Sequence, residues 1–88
     1  MLYTLPDGRS FELEKVIRVS GIRDEGEDAR TIGYSSLSFH IHLSGNEVIE
    51  VAVHYLYADW AQQKKRLAAI RDDLLNAIHA QGGEVDDT

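Results

Sequence analysis

One stretch limits what this chain can fold into more than any other. Ser35 to Ile78 reads as a β-hairpin running almost without pause into a long amphipathic helix. On the first strand Leu37, Phe39, Ile41 and Leu43 alternate with Ser36, Ser38, His40 and His42. That period of two marks a half-buried strand, one face dry and one wet. On the second strand Glu47, Ile49, Val51, Val53, Tyr55 and Tyr57 share one face, while Val48, Glu50, Ala52, His54 and Leu56 share the other.

Parity selects the register. A two-residue loop at Gly45-Asn46 sets His40 opposite Val51 and mixes the faces, because a slip of one residue turns every side chain over. A three-residue loop, Ser44-Gly45-Asn46, pairs Ile41 with Ile49, Phe39 with Val51 and Leu37 with Val53. It predicts a type I turn followed by a bulge, with Asn46 in the left-handed conformation that asparagine tolerates. On the wet face the same register sets His42 against Val48, His40 against Glu50, Ser38 against Ala52 and Ser36 against His54. Three of the four histidines then share one surface with a carboxylate.

Asp59 is a suitable N-cap for the helix, and Gln62 three positions on completes a capping-box pattern. Trp60, Leu67, Ile70, Leu74, Ala77 and Ile78 fall on one stripe with Leu75 on its flank; Gln62, Lys65, Arg66, Ala69, Asp72, Asp73 and Asn76 fall opposite. Gly82-Gly83 supplies a stop, and Glu84 to Thr88 reads as a frayed acidic tail. Lys64 and Arg71 sit a heptad apart at the edge of the stripe, where their aliphatic stems cover apolar surface and their charges reach water.

The first third of the chain is less regular. Leu2 to Leu5, Pro6-Asp7-Gly8 and Arg9 to Leu13 form a second hairpin pattern, with proline first in the turn and glycine at its left-handed third position. Its register faces Tyr3 with Phe11 and Met1 with Leu13. The dry face continues through Ile17 and Val19 as a strand, placing Val16 on the wet side, although Glu12 to Arg18 also carries helical propensity. Gly21 to Gly33 is charged and glycine-bearing, lacks apolar periodicity, and reads as a mobile loop. Its acids lack the alternating order of a calcium-binding hand loop.

The fold class that follows is α+β: a four-stranded antiparallel β-meander of two hairpins with one long C-terminal helix packed on one face, in a single domain over residues 1–81 and a flexible tail over 82–88. Strands first and a capping helix last looks like a truncated pleckstrin-homology-type layout; no motif accompanies the likeness and no function is carried over from it.

Composition then bounds function. A chain of 88 residues is one domain, and so short a domain buries only about 60–65% of its unfolded surface. With no cysteine, disulfides, thiolate metal sites and a cysteine nucleophile are excluded. A net charge of −6, with scattered lysines and arginines, argues against nucleic acid, whose phosphates demand clustered cations. No secretory or membrane-spanning run is evident, so a cytoplasmic location is expected.

Two uses of the wet face compete. His40, His42 and Glu50 offer the imidazole and carboxylate donors that suit zinc or another divalent ion, with or without hydrolysis; His54 is about 13 Å from Glu50 along the strand, too far to join. A serine–histidine pair drawn from Ser36, Ser38, His40 and His54 lacks the glycine-rich elbow and oxyanion hole that such chemistry needs. The favoured reading is a non-enzymatic protein–protein contact. His40, His42, Val48, Glu50, His54 and Leu56 make a mixed polar and apolar face, and a second copy of the chain is the simplest partner for it. Small acidic chains of this kind act, by analogy, as adaptors or inhibitors, including those carried by phages and other mobile elements.

Overall fold

The computed structural model describes residues 1–27, 35–83 and 85. Nine residues of β5 (Ser35–Leu43) run through the centre of the main sheet. On one side β5 pairs with β6 (Glu47–Tyr55) without interruption from Leu43↔Glu47 to Ser35↔Tyr55, including Ile41↔Ile49, Phe39↔Val51 and Leu37↔Val53. This is the register the alternation of apolar residues demands. The turn differs in detail: Gly45 as well as Asn46 has positive φ, 87° and 66°.

The other side of β5 holds two strands end to end. β3 (Val16–Val19) pairs with its C-terminal half and β4 (Arg23–Glu27) with its N-terminal half, both antiparallel. The expected unpaired loop from Gly21 to Gly33 is thereby corrected: Arg23↔Ser38, Asp24↔Leu37, Gly26↔Ser36 and Glu27↔Ser35 are strand pairs. Its last residues, 28–33, lie outside the described residues. Arg-Asp-Glu-Gly-Glu has little strand propensity, but backbone groups along a buried strand require partners whatever side chains the neighbour carries.

The pairing gains a residue at three places: between Val16 and Arg18, between Val19 and Arg23, and between Asp24 and Gly26. A second correction lies just before the first of these bulges. Leu13–Lys15 makes a 3-10 turn in place of a continuous strand, and beyond it Val16 is buried (6% exposed) while Ile17 points out (58% exposed), the reverse of the simple alternation. The turn brings Val16 to the dry face, and the extra residue that follows it returns Val19 there.

At the central bulge Ser20 repairs what the irregularity would break. Its backbone N–H still donates to the His40 carbonyl at 2.9 Å. Its hydroxyl, in place of a carbonyl, accepts the His40 N–H at 2.8 Å and donates to the Gly21 carbonyl at 3.1 Å. The Ser20 carbonyl receives Arg71 Nε from the helix at 2.8 Å. Arg71 is therefore a bracket between helix and sheet.

A separate hairpin of β1 (Leu2–Thr4) and β2 (Ser10–Glu12) has the expected register, with Tyr3↔Phe11 and their rings 5.7 Å apart. Gly8 has φ of 95° and closes the turn by donating to the Leu5 carbonyl. The architecture is α+β with six strands among the described residues, two more than expected.

α1 (Trp60–Ala80) covers the inner sheet face. Leu67, Leu74, Leu75 and Ile78 pack onto Leu37, Phe39, Ile41, Leu43 and Val51, and Leu5, Phe11 and Leu13 of the hairpin region join the same core. Asp59 stands at the N-cap, yet makes no side-chain cap bond, because its φ and ψ (−98° and −1°) lack the extended conformation that aims a cap side chain. A 3-10 turn, Tyr57–Asp59, leads into the helix in place of the capping box. The C-terminus is a Schellman motif: Gly82, φ 79°, donates to His79 and Gly83 donates to Ile78. Val85 packs back on the core; Glu84 and residues 86–88 of the expected tail lie outside the described residues.

Phe39→Ala or Leu74→Ala should cost about 2–5 kcal/mol in urea denaturation by opening this core. Ser20→Ala should cost about 1–3 kcal/mol although it removes only one oxygen, because the buried His40 N–H then has no acceptor. A loss below a few tenths would show that water reaches the bulge.

Candidate functional site

The hairpin register carries His40, His42, Val48, Glu50, Ala52 and His54 to the outer face of the main sheet, opposite α1. Backbone directions follow from the Ser20 bonds. Because His40 turns both its N–H and its C=O toward β3, its neighbours Phe39 and Ile41 turn theirs toward β6. His40↔Glu50 is thus a non-hydrogen-bonded pair, the kind whose side chains stand closest. His40 Nε2 lies 3.3 Å from Glu50 Oε2. The expected pair is formed, in an exposed setting where such contacts contribute about 0–1 kcal/mol.

The other members are unequally placed. His40 and His42 are half-buried on the central strand, whereas Glu50, Ala52 and His54 on β6 are exposed. Val48 and Leu56 are 52% and 46% exposed, large values for apolar side chains. Ser38, expected on the open face, is only 1% exposed between Arg23 and Ala52 on the neighbouring strands. The accessible part of this face is its β6 half.

Among the described residues, no three His, Asp or Glu side chains gather closely enough to hold a metal ion. No hydrogen bond joins Ser36 to His54 among those residues either, although the two are directly paired.

A second cluster lies where β4, the end of β6 and the start of α1 meet. The Tyr55 hydroxyl donates to the Asp24 carboxylate, 2.8 Å from each oxygen, and Trp60 Nε1 approaches Asp24 Oδ2 at 3.3 Å. Lys64 Nζ stands 4.8 Å from the Trp60 ring centroid, a cation–π contact. Asp24, Tyr55, Ala58, Trp60 and Ala61 line an open recess of about 400 Å³. Sequence reasoning misses this cluster because Asp24 sits in a run without periodicity and meets Tyr55 only through the β4–β5–β6 pairing. No linear spacing signals it. Burial and then the Asp24 carboxylate push the Tyr55 phenol above its ordinary value. Across the molecule, burial and the Asp73 carboxylate that accepts its hydroxyl push Tyr3 up in the same direction.

The comparisons with known proteins leave the site to be read from its own geometry. No family model, curated protein or solved structure matches the chain.

Both phenols keep their protons in the folded state at a pH where the unfolded chain, titrating near 10, has begun to release them. Folding is therefore favoured fully below about pH 10, and this contribution is lost as pH rises through the folded values. The urea midpoint should fall between pH 9 and 11, and a Tyr3→Phe, Tyr55→Phe double variant should flatten that slope. An unchanged slope in the double variant would assign the alkaline loss to other groups.

Proposed function

We propose that this chain is a small non-enzymatic protein–protein interaction module, an adaptor or inhibitor, that acts through the outer face of its main sheet. The observation that carries the reading is the exposure of Val48 and Leu56 beside Glu50 and His54, on the face opposite the helix. The buried cluster that includes the helix and the first hairpin is built on the inner row of the sheet, so the apolar side chains of the outer face gain nothing from the fold itself. Apolar residues interspersed with polar ones suit a contact that must also exist in water before its partner arrives. His40, His42, Val48, Glu50, His54 and Leu56 form the contact in this reading. A second copy of the chain is its simplest partner.

The proximity of His40 and Glu50 supports one other use of the same residues, a divalent-metal site completed by His42, with or without hydrolysis. Two ligands in reach fall short of the three or four that zinc takes from protein and solvent combined, so water would complete the shell. Titration with zinc separates the readings. Heat of binding together with a raised melting temperature would give the face to a metal; their absence would leave it to a protein.

His40→Ala combined with Glu50→Ala should weaken association about tenfold or more, measured as self-association by sedimentation equilibrium or as binding to a purified partner by titration. Circular dichroism and melting should stay close to those of the parent, since neither side chain belongs to the core. Undiminished association would move the contact to another surface.

A further inference from the structure

We infer that β6 is a pairing edge for a second copy of this chain, joined strand to strand about a two-fold axis at Ala52. The inference deepens the outer-face reading and rests on it. The argument begins with backbone direction. Val51 and its alternate neighbours turn their N–H and C=O groups toward β5, so Val48, Glu50, Ala52 and His54 turn theirs to the free edge of the sheet. None of these four edge residues makes a backbone hydrogen bond across that edge among the described residues.

An edge of this length is normally guarded. Proteins blunt such strands with proline, lysine, a bulge or shortness, because a row of unpaired donors and acceptors is a template for another strand. β6 has nine residues, no proline and no lysine, and pairs along its whole length without a register shift. The irregularities all lie on the opposite side of β5. This regular edge lies beside exposed Val48 and Leu56, with Pro6, Asp7 and Arg66 across a recess from Val51–Val53, and its outward backbone groups suit a strand partner.

Self-complementarity selects both the partner and the register. If two copies of β6 pair antiparallel with Ala52 opposite Ala52, then Glu50 faces His54 of the other copy, twice, and Val48 stands level with Leu56, which lies just past the strand with its carbonyl already accepting the Asp59 N–H. The smallest side chain stands at the axis, and a carboxylate meets an imidazole in place of a like charge. Centring the axis on Glu50 sets carboxylate against carboxylate, which is unfavourable directly across a ladder. Centring it on Val51 sets Val48 against His54, and centring it on Val53 sets Glu50 against Leu56. Of these four axes, only Ala52 sets Glu50 against an imidazole and Val48 against an apolar side chain. Within each copy Glu50 also keeps His40 at 3.3 Å, so its carboxylate lies between two imidazoles in the pair. The outer faces of the two copies then join into one continuous sheet surface.

The absence of cysteine from this chain makes the register directly testable. The parent should have the mass of a dimer in sedimentation at high micromolar concentration. Under mild oxidation Ala52→Cys should convert to a covalent dimer, because Cα atoms of a directly opposed hydrogen-bonded pair are about 5.5 Å apart, inside disulfide range. Glu50→Cys and His54→Cys should each fail to self-link, their like positions being about 13 Å out of register, yet a mixture of the two should link to one another. Ala52→Pro, which removes an outward N–H that β5 does not use, should leave circular dichroism intact and the mass monomeric. A parent that stays monomeric throughout overturns the inference. So does a dimer in which Glu50→Cys self-links or Ala52→Cys does not. Failure of that kind with a dimer still dissolved by the His40 and Glu50 double substitution would overturn the edge register alone; a dimer indifferent to that substitution would overturn the outer-face reading itself.

Discussion

The row Leu37, Phe39, Ile41 and Leu43 on the inner face of β5 is the constraint on which the rest of the structure depends. All four are buried, and every other element approaches that row from a different side. β6 doubles it with Val51 and Tyr55, α1 lies over it with Leu67 and Leu74, and the first hairpin fills the remaining space with Leu5 and Phe11. A small domain has few such residues to bury, so one uninterrupted apolar row with partners on three sides decides the topology. The helix adds little of its own at its N-terminus, where Asp59 leaves the cap unmade. Packing onto the row holds it instead.

A central strand must satisfy hydrogen bonds on both sides, and here the two sides are solved differently. On the β6 side the solution is regular. On the β3/β4 side the chain carries three surplus residues, and the central one falls at Ser20, only 6% exposed, where an unmet donor or acceptor would be costly. Ser20 resolves the central one by using its hydroxyl as a substitute acceptor, and Arg71 takes the carbonyl that the bulge turns away. The irregular edge is thus tied to the helix by a specific polar contact, while the regular edge needs none.

The contrast also explains how much was legible in the sequence. The β5–β6 register could be derived residue by residue, because alternation of apolar and polar side chains persists through both strands and parity admits one loop length. The helix stripe and its glycine stop were equally plain. The β3/β4 edge was not legible, since a bulge leaves no mark in the alternation other than its failure. Val16 and Ile17 exchange roles beyond the 3-10 turn, and Arg23–Glu27 enters the sheet without any alternation to announce it. The His40–Glu50 contact followed from register and was foreseen; the Asp24–Tyr55–Trp60 cluster depends on β4 and was hidden with it.

Core and edge are coupled more tightly in this molecule than their separation suggests. The pairing that buries Val51 beneath the helix also turns the Ala52 backbone outward, and the parity that hides Phe39 sets His40 beside Glu50. A one-residue slip of β6 would expose the apolar row and at once replace Glu50 and His54 on the outer face with valine and isoleucine. The outer surface is therefore specified by the same packing that stabilises the fold. It needs no separate device to hold its shape, and its side chains can vary for recognition as long as their parity is kept. That freedom applies to the side chains of β6. Its outward backbone groups, fixed in place by the buried half of the strand, offer the same ladder to a partner whatever those side chains become.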